Sequence, residues 1–319
     1  MTAEPAAPAR WTEGVQCTPG VSKPDPILVV DNVRRSFGGL IAVDVDHLEI
    51  QRGAITALIG PNGAGKTTLF NLLTGFDKPQ EGRWTFGGRD VTGLPAYRVA
   101  RLGMVRTFQL TKSLALLSVI ENMKLGAVGQ RGERMFTGLL RALWRSQERE
   151  IEERADDLLV RFKLAHMREE FAGSLSGGQR KLLEMARALM MQPNLVMLDE
   201  PMAGVNPALT QSLLEHIKDL RADGMSVVFV EHDMDVVYDI SDWVVVLAEG
   251  RVIAEGPPSV IGSNPEVIDA YLGTHHDAPE TVEEEAKRLA EAEAIIAEET
   301  GLPEEAITGE TKEPDDVDE

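Results

Sequence analysis

The segment of residues 60–68 has the residue types and spacing of a loop that binds phosphate. Its glycines and proline favour a loop whose backbone N–H groups point inward at an anion, while Lys66 adds a positive charge and Thr67 offers a hydroxyl that can bind Mg²⁺. An apolar run precedes the segment and a helical pattern follows it, so the positive end of a helix would face the phosphates. The alternative is an ordinary glycine-rich turn. The residues assigned to this loop are Gly60, Pro61, Asn62, Gly63, Ala64, Gly65, Lys66, Thr67 and Thr68.

Two acidic residues, Asp199 and Glu200, directly follow the apolar run of residues 195–198, which predicts a buried parallel strand. Such a strand ends at the carboxyl edge of its sheet, where open α/β folds bind their ligands. Asp199 could there bind Mg²⁺, directly or through water, and Glu200 could orient or deprotonate a water aimed at a terminal phosphate. The alternative is an exposed acidic turn.

His232 occupies the same kind of position after the apolar run of residues 226–230. A single histidine is usually structural, but at the end of a central strand, beside the strand that carries Asp199, it could contact a γ-phosphate. Phe37, in a predicted loop, could stack on an adenine base, with core packing as the alternative. Gln109 follows a short predicted strand at residues 104–107 and carries no signal alone.

Residues 176–179 lead into a helix whose apolar residues recur at helical spacing. A helix start of this kind exposes unpaired N–H groups beside the positive end of the helix dipole. Two interpretations stay open: a second anion site, or a simple helix start capped by Ser176. The residues concerned are Ser176, Gly177, Gly178 and Gln179.

Composition indicates a globular protein, with 43% hydrophobic and 26% charged residues among 319. Cys17 is the only cysteine, which excludes an internal disulfide and a cysteine-based metal cluster. Residues 277–319 contain 17 acidic and 3 basic residues, so −14 of the net charge of −20 lies there. Neither this segment nor the rest of the chain has the basic character of a nucleic-acid-binding protein. No apolar run approaches the roughly 20 residues that span a bilayer, so we expect a cytoplasmic protein.

The order of elements predicts an α/β fold. We expect residues 1–26, which are rich in proline and poor in apolar residues, to be a disordered extension, with order beginning at Ile27. From residue 119 to residue 164 the pattern is helical, which indicates a helical insert between strands. Residues 274–319 predict an acidic tail that is largely disordered, with one amphipathic candidate helix at 282–298.

The ordered set of phosphate loop, Gln109, Leu-Ser-Gly-Gly-Gln, Leu-Val-Met-Leu-Asp-Glu and His232 resembles the nucleotide-binding subunit of ATP-binding cassette (ABC) transporters over residues 27–273. The resemblance implies a P-loop NTPase fold with a RecA-like core, an N-terminal antiparallel β subdomain and an inserted helical subdomain at about residues 108–190. Further stretches resemble the subunit for branched-chain amino-acid uptake, and subunits for urea and short amides are similar. These stretches are residues 37–39, 72–76, 105–109, 119–122, 200–207 and 264–273.

The resemblance also implies roles. Two such domains would face each other head to tail, so that ATP on one chain is covered by residues 176–179 of the other. Glu200 would be the catalytic base and His232 would sense the γ-phosphate, while Gln109 would connect Mg²⁺ to the membrane subunit. Phe37 would stack on adenine. The residues implied for ATP and Mg²⁺ are Lys66 and Thr68 for the nucleotide and Thr67, Gln109 and Asp199 for the metal.

The partners implied are a second ABC ATPase, often a different polypeptide, transmembrane permease subunits and, indirectly, a solute-binding protein outside the membrane. The chain would then be peripheral on the cytoplasmic face of the membrane. A soluble ABC ATPase of DNA repair or translation is disfavoured by the single uninterrupted cassette. Relatives in amino-acid uptake often carry a bulkier residue at the position of Gly177, which is a departure from that type.

Overall fold

The computed structural model describes residues 10–107, 114–129 and 145–273. The chain divides into a compact unit of residues 1–270 and a second unit of residues 271–319, of which only the first three residues are described. The predictions for residues 1–9, for Gln109 and for the acidic tail therefore lie outside the described residues. No helix among the described residues has the length and apolarity that crossing a bilayer requires.

Strands and helices alternate through most of the chain. The strands are β1 (Pro26–Phe37), β2 (Leu40–Gln51), β3 (Ile55–Ile59), β4 (Glu81–Phe86), β5 (Arg89–Asp90), β6 (Met104–Arg106), β7 (Leu195–Asp199), β8 (Ser226–Val230), β9 (Trp243–Ala248) and β10 (Arg251–Gly256). The helices are α1 (Lys66–Leu73), α2 (Ala96–Arg101), α3 (Val119–Lys124), α4 (Arg145–Arg161), α5 (Gly177–Leu189), α6 (Pro207–Ala222), α7 (Met234–Ile240), α8 (Pro258–Ile261) and α9 (Pro265–Gly273). Short 3₁₀ helices cover Arg10–Thr12, Ala165–Met167 and Ala172–Ser174.

A six-stranded sheet in the order β10-β9-β3-β8-β7-β6 forms the central layer. Its strands are parallel from β9 to β6, and β10 joins β9 antiparallel. Every residue of β3, β7 and β8 is buried, as expected for parallel strands covered on both faces. Because β8 lies between β3 and β7, the segments that follow these three strands meet at one edge of the sheet.

A second, antiparallel sheet has the order β2-β1-β4-β5. One hydrophobic core joins it to the central sheet, and α1 contributes four buried residues to that core: Leu69, Phe70, Leu72 and Leu73. Strand β1 pairs with β2 along its whole length, through polar residues as well as apolar ones. The two-sheet arrangement agrees with the predicted α/β fold, in which an N-terminal antiparallel sheet accompanies a parallel core sheet.

Helices α3, α4 and α5 lie in the region predicted to be a helical insert, and they contact one another. Arg168 ties α4 to the segment after it, with hydrogen bonds to Glu152 at 2.6 Å and Asp156 at 2.7 Å. Ser118 and Glu121 form a reciprocal cap at the start of α3.

The N-terminal segment differs from the expected extension, because Trp11, Val15 and Val21 pack against the hydrophobic core. The Trp11 ring lies 5.4 Å from that of Trp243, and the buried Lys23 ammonium forms an ion pair of 2.6 Å with Glu255. Glu255 also accepts hydrogen bonds from the Val21 N–H and the Trp243 indole. A segment poor in apolar residues is thus held by one aromatic contact and one buried carboxylate, which composition alone does not reveal.

Candidate nucleotide-binding site

The loop after β3 is shaped by glycines at positions where a side chain would collide with the backbone. At Gly60 (φ 148°) a Cβ would lie 2.0 Å from the carbonyl oxygen of Leu247, and at Gly65 (φ 98°) it would lie 2.1 Å from that of Ala42. Positive φ values are costly for residues with a side chain. The loop therefore requires glycine at both ends of its tightest part, as the spacing predicted.

Helix α1 begins at Lys66 directly after this loop, and no side chain caps its N-terminus. The N–H groups of its first turn and the positive end of its dipole are thus available to an anion. The Lys66 ammonium donates to the carbonyls of Gly60 and Pro61 at 2.7 and 2.9 Å, so it is held over the loop. Burial lowers the pKa of Lys66, and the nearby carboxylates of Glu200 and Asp199 oppose that effect.

Asp199 is the last residue of β7, and its side chain is almost fully buried. Its Oδ2 accepts a hydrogen bond of 2.6 Å from Arg106, at the end of the neighbouring strand β6. The same guanidinium donates to Asn71 on α1, so Arg106 connects the phosphate-loop helix to Asp199. The carboxylate of Asp199 and the hydroxyl of Thr67 are the hard oxygen donors that Mg²⁺ prefers, and the chain therefore fits this ion.

Glu200 follows Asp199 in a left-handed backbone conformation, with φ 47°. Its N–H donates to the Val230 carbonyl at the end of β8, and its carbonyl accepts from Lys181 on α5. Non-glycine residues in this conformation are uncommon and concentrate at functional sites. The exposed acidic turn that was the alternative for these two residues does not describe Asp199.

His232 is exposed beyond the end of β8, with its Nδ1 3.8 Å from Oε2 of Glu231. Glu231 is buried and accepts a hydrogen bond of 2.9 Å from the Met202 N–H. Burial raises the pKa of Glu231, and the hydrogen bond from Met202 opposes that rise. The exposed side chain of His232 thus lies at the same sheet edge as the loop of Lys66 and the carboxylate of Asp199.

Residues 176–179 form a reciprocal cap on α5. The Ser176 hydroxyl accepts from the Gln179 N–H, and the Gln179 side chain accepts from the Ser176 N–H. The capping interpretation is confirmed in this respect, and it does not exclude a role in binding. Gly178 is packed against Leu209, whereas Gly177 faces open space.

Phe37 is the last residue of β1 and not a loop residue as predicted, and 49% of it is exposed. The guanidinium of Arg35 lies 4.4 Å from the ring centre, on one face. This exposure excludes a core position for Phe37, although one face of its ring packs against Arg35.

Two sequence models of known families match the chain. The one described as "ABC transporter" matches residues 43–203, and the one described as "Branched-chain amino acid ATP-binding cassette transporter" matches residues 251–277. The chain belongs to the ABC transporter family. It is 43% identical over 247 residues to a "Probable branched-chain amino acid transport ATP-binding protein LivG" of Archaeoglobus fulgidus, covering 77% of this chain and 95% of that one. A LivG protein of Salmonella typhimurium is 43% identical over 250 residues, covering 78% of this chain and 98% of that one.

Solved structures of ABC cassettes are similar as well. The ADP conformation of MJ1267, an ATP-binding cassette of an ABC transporter, has a TM-score of 0.68 and 38% identity, covering 78% of this chain and 99% of that one. The dimeric structure of MJ0796, a bacterial ABC transporter cassette, has a TM-score of 0.62 and 25% identity, covering 72% and 98%. The predicted family is thereby confirmed.

The site of this ABC cassette also contains residues to which sequence reasoning assigned no role. They are Asn71, Arg106, Lys181 and Glu231. Arg106 and Glu231 do carry a sequence signal, since each is a charged residue at the end of a buried strand. Asn71 and Lys181 lie within helices, and their partners lie in other segments of the chain.

Proposed function

We propose that the chain is the ATP-hydrolysing subunit of an importer for branched-chain amino acids. The observation that carries this proposal is the match of residues 251–277 to the branched-chain cassette family, outside the general cassette region of residues 43–203. The printed names of its curated relatives agree with this. The residues that bind and hydrolyse ATP lie at the neighbouring ends of β3, β7 and β8.

ATP lies with its phosphates in the loop of residues 60–68, where backbone N–H groups, Lys66 and the first turn of α1 bind them. Asp199, Thr67 and Gln109 would hold Mg²⁺, which would offset charge on the phosphates. Phe37 stacks on the adenine ring. Its exposed aromatic face supports that role.

Glu200 receives a proton from the water that attacks the γ-phosphorus. The new bond joins the water oxygen to phosphorus, and the bond to the β–γ bridging oxygen breaks to give ADP and inorganic phosphate. His232 contacts the γ-phosphate. The exposure of His232 at the edge of β8, next to the strand of Glu200, supports this assignment.

The second half of each site comes from another ABC ATPase chain arranged head to tail, whose nucleotide is covered by Ser176, Gly177, Gly178 and Gln179. Dimeric MJ0796 is a precedent for association of two cassettes. Permease subunits hold the pair at the cytoplasmic face of the membrane. A solute-binding protein delivers the amino acid from outside.

The test is affinity purification of the tagged full-length chain from solubilised membranes, followed by reconstitution of the co-purifying subunits in vesicles. We expect permease subunits and a second ATPase to co-purify. Leucine, isoleucine or valine, presented with the solute-binding protein, should stimulate ATP hydrolysis, whereas urea and short amides should not. Stimulation by urea alone, or recovery only with ribosomes or DNA, would contradict the proposal.

A further inference from the structure

The turn of residues 200–204, which follows β7, is held from two sides by side chains of opposite charge. On one side, Lys181 of α5 donates its ammonium to the carbonyls of Glu200 at 3.3 Å, Pro201 at 3.1 Å and Ala203. On the other side, the buried carboxylate of Glu231 accepts from the Met202 N–H at 2.9 Å.

The number of donors on Lys181 matches the number of acceptors in the turn. An ammonium group carries three N–H donors and no acceptor, and three carbonyl oxygens of this turn converge on it. Hydrogen bonds from a charged donor are stronger than those between neutral groups. The turn therefore has a built site for one cation, and that cation is a side chain of the chain itself.

This turn begins with a strained residue. Glu200 has φ 47°, a left-handed conformation that is unfavourable for a residue with a side chain. Such a conformation persists only where its surroundings determine it. The backbone bond from Glu200 to Val230 fixes one side of the residue, and Lys181 fixes its carbonyl.

Lys181 and the turn that it contacts belong to two different functional surfaces. Lys181 lies in the second turn of α5, the helix that Ser176 caps, whereas Glu200 belongs to the turn after β7. Residues 176–179 are proposed to cover the partner's nucleotide, and Glu200 acts on the chain's own. Lys181 links these two surfaces directly, through the contacts of its ammonium with the turn.

We propose that Lys181 is a positioning residue: it sets the orientation of Glu200 and links it to the seating of α5 on the partner's nucleotide. The inference rests on the proposed function, because it assumes that Glu200 is the base and that residues 176–179 face a second chain. Glu231 supports the same turn from the side of His232. Loss of the ammonium should therefore impair the chemical step more than nucleotide binding.

The experiment compares Lys181→Met, Lys181→Gln and Lys181→Arg in the full-length chain within its purified complex. Met removes every donor, Gln keeps two, and Arg keeps the charge and several donors. We expect kcat to fall about tenfold or more in Lys181→Met, with KM for ATP changed less than about threefold, and to recover most fully in Lys181→Arg. Lys218→Met is the matched control, because Lys218 pairs with Asp239 on the exposed surface.

A second measurement covers the case in which Lys181→Met folds poorly. In the Lys181→Gln protein, amide exchange at Met202 and Ala203 should accelerate while that of β8 is unchanged, and kcat should lie below that of the wild type. An unchanged kcat in both Lys181→Met and Lys181→Gln would overturn the inference. So would a loss that appears only in KM.

The result separates the two proposals. If Glu200→Gln abolishes hydrolysis and Lys181→Met leaves kcat intact, the positioning role is wrong and the function stands. If Glu200→Gln retains hydrolysis, the assignment of the base is wrong, whatever Lys181→Met does.

Discussion

Arg106 donates a hydrogen bond of 2.6 Å to Asp199, and the two side chains are only 4% and 5% exposed. Two charges removed from water in this way lose hydration, and they are stabilised by each other. Arg106 also reaches Asn71, so the guanidinium occupies a position between α1 and β7. Its positive charge lies at the carboxylate that is proposed to hold Mg²⁺.

Replacing Arg106 with Met should expose the dependence of Asp199 on a positive neighbour. The variant leaves the carboxylate buried without its ion-pair partner, which costs about 3 kcal/mol in the free energy of unfolding. Adding Mg²⁺ and ATP should reduce that loss, because the metal brings positive charge to Asp199. Urea unfolding with and without Mg·ATP measures both quantities.

The control for Arg106 is Arg52→Met, which breaks the exposed pair with Asp25. An exposed ion pair contributes about 1 kcal/mol or less. Equal losses for Arg106→Met with and without Mg·ATP would argue against a metal site at Asp199.

Substitution of Glu200 by Gln should separate catalysis from binding. The amide cannot accept the proton of the attacking water, so ATP hydrolysis should fall by about a hundredfold or more while ATP affinity persists. Lys66→Ala should instead abolish binding, because it removes the charge over the phosphate loop. Nucleotide binding by calorimetry and phosphate release by the same preparations test the pair, and substantial hydrolysis by Glu200→Gln would refute the role of base.

The two glycines at the start of α5 should respond differently to the same change. A Cβ at Gly178 would lie 1.7 Å from Leu209 Cδ2, whereas a Cβ at Gly177 would meet nothing closer than Arg180 at 4.0 Å. Gly178→Ala should therefore lower the free energy of unfolding by about 1–3 kcal/mol, and Gly177→Ala should not lower it. Adding Leu209→Ala to Gly178→Ala should restore part of the loss, and urea unfolding without such recovery would exclude the predicted collision.

His216 should make stability depend on pH. It is 5% exposed against Phe162, and neither ring nitrogen has a hydrogen-bond partner among the described residues. Burial lowers the pKa of His216; the neighbouring Asp219 and Glu215 oppose this effect, while Arg161 and Lys163 add to it. The unfolded chain therefore binds a proton first as the pH falls below about 6.5, and stability is lost from there down to the lowered folded pKa.

The expected loss between pH 7.5 and pH 5.5 is up to about 1 kcal/mol, since the folded ring takes up its proton at a lower pH than the unfolded chain does. His216→Leu should remove this part of the pH dependence, whereas His166→Leu, at an exposed position, should leave it in place. Denaturant unfolding at the two pH values provides the comparison. Identical pH dependence in the wild type and in His216→Leu would show that His216 is not responsible.

Features that depend on local spacing could be predicted from the sequence. The glycines at 60 and 65, the acids that end β7 and the cap of Ser176 on Gln179 each follow from the geometry of a few consecutive residues. Buried apolar strands with polar residues at their ends then predicted which segments meet. This reasoning correctly predicted that the segments after β3, β7 and β8 meet at one edge of the sheet.

Contacts between distant segments could not be predicted in the same way. Arg106 and Asp199 are 93 positions apart, and Lys23 and Glu255 are 232 apart. Their pairing depends on the order of the strands in the sheet and on how side chains pack in the core. Neither can be deduced from a few consecutive residues. For the same reason, the sequence alone assigned no role to Lys181, a charged residue within a helix.

The packing of Trp11 and Lys23 sets a practical limit on how the chain can be shortened. A fragment that starts at Ile27, the boundary that composition suggested, would lack the ammonium beside Glu255 and the ring beside Trp243. The Glu255 carboxylate would then keep the donor from the Trp243 indole but lose its other partners, and the apolar surface around Trp243 would be uncovered. Such a fragment would bring an aggregation hazard into any preparation designed from the cassette alone, so tags and cleavage sites belong before residue 10.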